Sequence, residues 1–217
     1  MARFLTERQG IADMCRTLAD QGYFAGTGGN IGVRVDDRLM AVTPSATDYY
    51  TIAAEDIVLL DIATLEVVEG DKVPTIEKSL HASMLTMFPE RRVSIHTHQP
   101  VASAVALSHQ VLPWPDGADL SMLGAHVAVV PYRPSGTGML AKAFRKALKP
   151  GIFAYLMASH GVICSAGDLD GALSMIRKID AAAASLLSRR VAGRGELDTK
   201  LQAFVLKTLE HANLKGA

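Results

Sequence analysis

Two of the seven histidines stand one residue apart, His96 and His98, at the end of the run RVSIHTH that spans Arg92–His98. In a strand, residues i and i+2 point to the same face, so this spacing sends two imidazoles side by side toward one point. Imidazole is largely neutral at pH 7 and ligates Zn2+, Fe2+, Mn2+ or Co2+ without cancelling the ion's charge. A third candidate ligand, His160, ends the apolar run IFAYLMAS and precedes Gly161, a residue small enough for close backbone approach. Three protein ligands leave a coordination position open, which marks a catalytic rather than a structural site. Glu77 is the fourth element. Such a carboxylate at a helix start either ligates the ion or moves a proton beside it; its plainer alternative is to complement the helix dipole. His81 follows one turn later on the same helix face, in position to support Glu77, or else simply as a partly buried histidine. His109, His126 and His211 sit in polar or terminal contexts and are expected in solvent.

The elements that carry these residues are readable from periodicity. Ile11, Met14, Cys15, Leu18 and Ala19 recur at three and four across a helix from Thr6 to Gln21, stopped at Gly22. Gly26-Thr27-Gly28-Gly29-Asn30 reads as a turn. The third glycine of a dinucleotide fingerprint would fall on Ile31, and no G-K-[ST] of a P-loop occurs. What remains is a tight turn capped by asparagine, or backbone N–H groups and an amide offered to an anionic or hydroxylated ligand. Strands are expected at Ile31–Val35, Leu39–Val42 and Ile57–Asp61, the first two joined at Asp36-Asp37. A helix runs from Pro74 to about Phe88 and is closed by Pro89. The strand Arg92–His98 leads to a helix Pro100–Leu107, an irregular stretch Val111–Gly124 and a strand Val127–Tyr132. A helix Thr137–Leu148, strands Phe153–Met157 and Val162–Cys164, and helices Asp168–Arg190 and Leu197–Ala212 complete the chain. This order predicts one α/β domain over residues 1–217, with helices on both sides of a sheet.

Bulk properties exclude other classes. Apolar residues make up 49% and charged residues 20%, ordinary for a globular chain, and 22 Lys+Arg balance 22 Asp+Glu. No global field attracts nucleic acid or an anionic membrane. The first twenty residues carry scattered charges and no apolar stretch of secretory length, and no window reaches the ~20 apolar residues of a membrane span. Cys15 and Cys164 lack a C-x-x-C spacing and read as two free thiols. A soluble, cytoplasmic enzyme with a small-molecule substrate is expected, with no nucleic-acid or membrane partner.

Taken in order, the motifs resemble the class II aldolase/adducin family. They are G-T-x-G-N at Gly26–Asn30 before a strand ending in Arg34, T-P-S at Thr43–Ser45, Glu77, H-T-H at His96–His98, P-Y-x-x-x-G-T at Pro131–Thr137, and S-H-G at Ser159–Gly161. The resemblance implies a three-layer α/β/α domain around a mostly antiparallel sheet, assembled as a homotetramer with sites at subunit interfaces. It implies one divalent ion per subunit on His96, His98 and His160, Zn2+ first and Mn2+, Fe2+ or Co2+ as alternatives, with Glu77 as acid/base. The activity implied is that of a lyase: retro-aldol cleavage of a hydroxyketone, a sugar phosphate or related polyol, through a metal-stabilised enediolate. Oxo-acid sugar decarboxylation is the second reading, ahead of dehydration, 4-epimerisation and a non-catalytic adducin-like interaction module. The family's phosphate subsite falls on Gly29, Asn30, Ser45, Ala46, Thr75 and Ile76, with two departures: Ala46 stands for a glycine, and Thr75-Ile76 for a pair of serines. Gly32 replaces a common serine, and no tyrosine between Trp114 and Gly124 supplies the family's second proton donor. Arg34 and Arg133 are candidates for positive charge near the site, and the C-terminal helix with Lys200, Lys207 and His211 for a cover over the pocket.

Overall fold

The computed structural model describes residues 3–24, 26, 28–193 and 199–215. The first helix, α1 (Leu5–Asp20), buries Ile11, Met14, Cys15 and Leu18, the stripe that its sequence spells. Strands β1 (Asn30–Arg34), β2 (Leu39–Val42), β3 (Val58–Asp61) and β4 (Val67–Glu69) follow, then α2 (Lys78–Met87) and β5 (Val93–Thr97). The chain continues through α3 (Pro100–Ala106), α4 (Leu120–Leu123), β6 (Ala128–Val130), α5 (Gly138–Ala147), β7 (Ala154–Met157) and β8 (Gly161–Ala166). It ends in α6 (Leu169–Ala192) and α7 (Thr199–Lys215). Helix starts follow capping chemistry: Asp168 accepts from the Gly171 N–H at 2.7 Å ahead of α6, and Thr137 from the Leu140 N–H at 3.3 Å ahead of α5.

The eight strands among the described residues join one sheet in the order β4-β3-β2-β1-β5-β8-β7-β6. Every pairing is antiparallel except β6 with β7. The sheet is therefore mostly antiparallel, with helices on both faces. Alternation along the central strands sorts the core. Ile31, Val33, Ile95, Val162 and Cys164 pack toward α1, α3 and α6. On the other face Tyr155, Met157 and Ile163 meet Leu80, Met84, Leu140 and Phe144 of α2 and α5, while Met40, Val42, Val58 and Leu60 meet Ala82 and Leu85. Helix α7 packs on α6. Both cysteines are free and buried, and burial pushes each thiol up to about 12. Among the described residues no helix is long and apolar enough to cross a membrane.

Several boundaries differ from the sequence expectation. Strand β4 carries no alternation that would announce it, because it is an edge strand whose Val67 and Val68 stay exposed. The segment Pro74–Ile76 is not helical: Pro74 bridges Pro44, the Thr75 N–H donates to the Thr43 carbonyl, and helix α2 begins only after Glu77. Strand β8 begins at Gly161, one residue earlier than the expected Val162, and His160 lies in the short turn between β7 and β8. The irregular stretch Val111–Gly124 contains the one-turn helix α4. Thr27, Leu197 and the His211 side chain, all named in the sequence reading, lie outside the described residues.

Candidate active site and metal centre

The register between β1 and β5 sets out the floor of the site. Asn30 lies opposite His96 and Gly32 opposite Ser94, while Ile31 and Val33 oppose Ile95 and Val93. The first set therefore shares the face covered by α2, and the second set faces the core. Helix α2 brings Glu77 and His81 over that floor. On the other side β8 runs antiparallel to β5, so the turn preceding it delivers His160 beside His96 and His98.

The ligating atoms of His96, His98 and His160 all lie within 4.8 Å of one another. His96 is fully buried, and its Nδ1 donates to the Val162 carbonyl at 2.7 Å. That bond fixes the tautomer and leaves the Nε2 lone pair facing the cluster, 2.8 Å from His98 Nε2. The imidazole of His160 meets Glu77 Oε1 through Nε2 at 3.4 Å, and its buried Nδ1 has no hydrogen-bond partner among the described residues. Burial lowers the pKa of all three rings, which keeps their lone pairs available at neutral pH. Neutral imidazoles converging on one point, one of them oriented by a backbone carbonyl, fit a divalent ion as ligands.

Close approach of β8 makes this possible. A Cβ on Gly161 would collide with the Thr97 carbonyl oxygen and come within 2.7 Å of His98 Cδ2. Ser159, two residues earlier, takes a φ of 55° and turns the chain so that His160 enters the cluster.

Glu77 sits at the N-cap position of α2 but makes no side-chain capping bond, so its oxygens are left to other partners. Its carboxylate is buried and turned to the histidines. Oε2 is 3.3 Å from His96 Nε2 and accepts from Asn30 Nδ2 at 3.0 Å, while Oε1 accepts from the Ser135 hydroxyl at 2.9 Å. Burial alone would raise its pKa; positive charge on the His96 and His160 side, whenever a proton resides there, and the Asn30 and Ser135 hydrogen bonds outweigh it and hold the carboxyl below its ordinary range.

Sequence reasoning missed Ser135. It lies within the P-Y-x-x-x-G-T segment, at a position that the motif leaves open. His81, expected to be partly buried, is fully buried, with Nδ1 2.9 Å from Ser94 Oγ and Nε2 2.6 Å from Asn30 Oδ1. Gly32 makes room for it, since a Cβ there would lie 2.7 Å from His81 Cβ. The serine-to-glycine departure at this position thus has a steric reason within this chain.

The expected phosphate residues are less uniform. Asn30 turns its amide to Glu77 and His81. Thr75 is buried, and its hydroxyl accepts from the Glu77 N–H at 3.3 Å. Ser45 is half-buried, Ala46 is exposed at a φ of 51°, and Ile76 is 62% exposed. Gly29 takes a φ of 112° beside the Phe24 ring, and the Tyr49 hydroxyl donates to its carbonyl at 2.7 Å. Arg34 does not serve the site: its Nη2 donates to the Leu85 carbonyl at 2.6 Å, tying β1 to α2. Arg133 is exposed and bonds its neighbour's carbonyl, at Tyr132. His109 is exposed, as expected, and pairs with Ser159 Oγ at 2.9 Å; His126 is half-buried.

Residues 9–187 match the sequence profile of the class II aldolase and adducin N-terminal domain. The chain belongs to this family. Among relatives of the family, a 5-deoxy-D-ribulose 1-phosphate aldolase of Bacillus thuringiensis serovar kurstaki is 30% identical over 175 residues, 80% of this chain and 81% of that protein. A 3-oxo-tetronate 4-phosphate decarboxylase of Haemophilus influenzae is 27% identical over 169 residues, 76% of this chain and 79% of that protein. A solved L-fuculose 1-phosphate aldolase superposes with a TM-score of 0.78 at 27% identity, covering 97% of this chain and 98% of the other. The three-layer, mostly antiparallel architecture is thus that of the class II aldolases.

Proposed function

We propose that this chain is a metal-dependent lyase that cleaves a hydroxyketone, a sugar phosphate or related polyol, by a retro-aldol reaction. The observation that carries this reading is the convergence of His96, His98 and His160 on a point flanked by both oxygens of a buried carboxylate, Glu77. The three histidines would hold one divalent ion per subunit, Zn2+ first among the candidates. When bound, such an ion supplies Lewis-acid stabilisation of the negative charge that develops on the substrate's oxygens.

Glu77 takes a proton from the reacting carbon or hydroxyl and returns it to the carbon left electron-rich by bond cleavage. A carboxylate held ionised and within reach of the same point suits that work. Asn30 and Ser135 fix its two oxygens, so the proton moves over a defined path. Gly29, Ser45, Ala46, Thr75 and Ile76 would surround the far end of the substrate, where Ile76 offers no hydrogen-bond donor. Losing one bond to a charged group costs ~1.5–3 kcal/mol, which weakens any preference for a phosphate. Exposed Ile76, Tyr132 and Met139 beside the Glu77 and Ser135 segments suit burial by a second subunit, in line with a homotetramer.

Decarboxylation of an oxo-acid sugar is the second reading, favoured by the Haemophilus influenzae relative, because loss of CO2 leaves the same electron-rich carbon. Solvent-deuterium incorporation into dihydroxyacetone phosphate and dihydroxyacetone, followed by proton NMR with and without EDTA, separates the two. Exchange abolished by EDTA is the expected result. No exchange into either ketone, with metal bound, overturns the aldolase reading and leaves decarboxylation.

A further inference from the structure

The buried histidine of α2 takes no part in the metal cluster, yet both of its nitrogens are committed. His81 Nδ1 meets Ser94 Oγ at 2.9 Å and Nε2 meets Asn30 Oδ1 at 2.6 Å, and Asn30 Nδ2 reaches Glu77 Oε2 at 3.0 Å. The direction of every proton follows from the carboxylate end. Glu77 accepts only, so the Asn30 amide turns its NH2 toward it and its carbonyl toward His81. A carbonyl accepts only, so His81 Nε2 carries the ring proton. Nδ1 is then the acceptor, and Ser94 must donate. A flipped amide would set two acceptors against each other at Glu77, so the amide orientation is determined as well.

We propose that Ser94, His81 and Asn30 form a directed hydrogen-bond relay that positions the Glu77 carboxylate, with Asn30 as the link that touches it. The role assigned to Glu77 rests on the function proposed above; the geometry of the relay does not. Three features support the assignment. Asn30, His81 and Ser94 are all buried, so water cannot replace any link without opening the site. The β1–β5 register brings Asn30 and Ser94 to one face, two residue pairs apart, the span of one imidazole. Gly32, between Asn30 and Arg34 on that face, gives up its side chain to the ring. Asn30 Oδ1 is spent on His81, and one of its N–H groups on Glu77.

The test uses the full chain. Nitrogen-15 NMR of the histidine rings reads the His81 tautomer directly, with no need for activity. The Nε2–H form at neutral pH is expected; an Nδ1–H form or an imidazolium breaks the relay and overturns the proposal. Ser94→Ala then removes the far donor, which touches neither substrate nor ion. A fall in kcat of about 10- to 100-fold is expected, the range for residues that support catalytic ligands, with KM and bound metal unchanged. An unchanged kcat in folded Ser94→Ala overturns the positioning role, as does a rise in KM alone for Asn30→Ala, which would make Asn30 a substrate ligand. Should the parent protein catalyse no exchange at all, the role given to Glu77 fails while the tautomer still decides the relay. Should Ser94→Ala not fold, the tautomer of the unmodified chain and the KM of Asn30→Ala carry the decision.

Discussion

At the scale of single residues, the site depends on side chains that are missing as much as on those present. Gly161 lets β8 lie against the H-T-H run, and a methyl group there has no space beside the Thr97 carbonyl and the His98 ring. Gly161→Ala is expected to displace His98 and weaken metal retention by at least about 10-fold. Metal analysis after dialysis checks this, with circular dichroism confirming the fold. Ala46 shows the reverse situation, a side chain where the backbone favours none. Its φ of 51° lies in the left-handed region, which costs an L-residue about 1–2 kcal/mol. Ala46→Gly is therefore expected to raise stability by about 0.5–1 kcal/mol in urea unfolding, net of the extra chain entropy of glycine. The histidine pair and Glu77 were legible in the sequence because strand parity and a helix start are local properties. Ser135 and the Ser94–His81–Asn30 links were not. Each joins residues 13 to 58 positions apart, and only the register of β1 against β5 and the packing of α2 bring them together.

At the scale of elements, most helices and strands were readable from period, and the errors fell where burial does not alternate. Edge strand β4 leaves no such trace for that reason, and Pro74-Thr75 reads as a helix start although its backbone pairs with Thr43-Pro44 and α2 begins only at Lys78. A buried charge between two helices gives a sharper test of packing. Asp180 of α6 is 7% exposed and accepts from the Ala102 N–H in the first turn of α3 at 3.3 Å. Burial raises its carboxyl from 3.8 to about 6, against the opposing effect of that hydrogen bond. The folded chain then holds this proton more tightly than the unfolded chain, so stability falls as pH rises from about 4 to about 6 and stays reduced above. Asp180→Asn keeps the acceptor and removes the charge. It is expected to match the parent near pH 4 and to exceed it by about 1–3 kcal/mol near pH 7.5, read from paired urea titrations. An identical pH slope in both proteins would show that Asp180 carries no such cost.

At the scale of the whole molecule, the candidate ligands come from the middle of one eight-stranded sheet. His96 lies on β5, His98 just beyond its end, and His160 in the turn that feeds the strand paired with β5. Hydrogen bonding across that pair and the large cores on both faces support the strands that carry the ligands. Removing metal with EDTA is accordingly expected to abolish exchange and to lower Tm by mass action, by about 2.7 kcal/mol of stability for an ion present at 100 times its Kd. The far-ultraviolet circular dichroism should not change. Were the proposed ion to bind after folding, synthesis and activation would be separate events. Chains made under metal starvation would accumulate folded and silent and be switched on later by supply. Since histidine nitrogens discriminate weakly among first-row ions, the metal found in the protein would record what its surroundings had to offer.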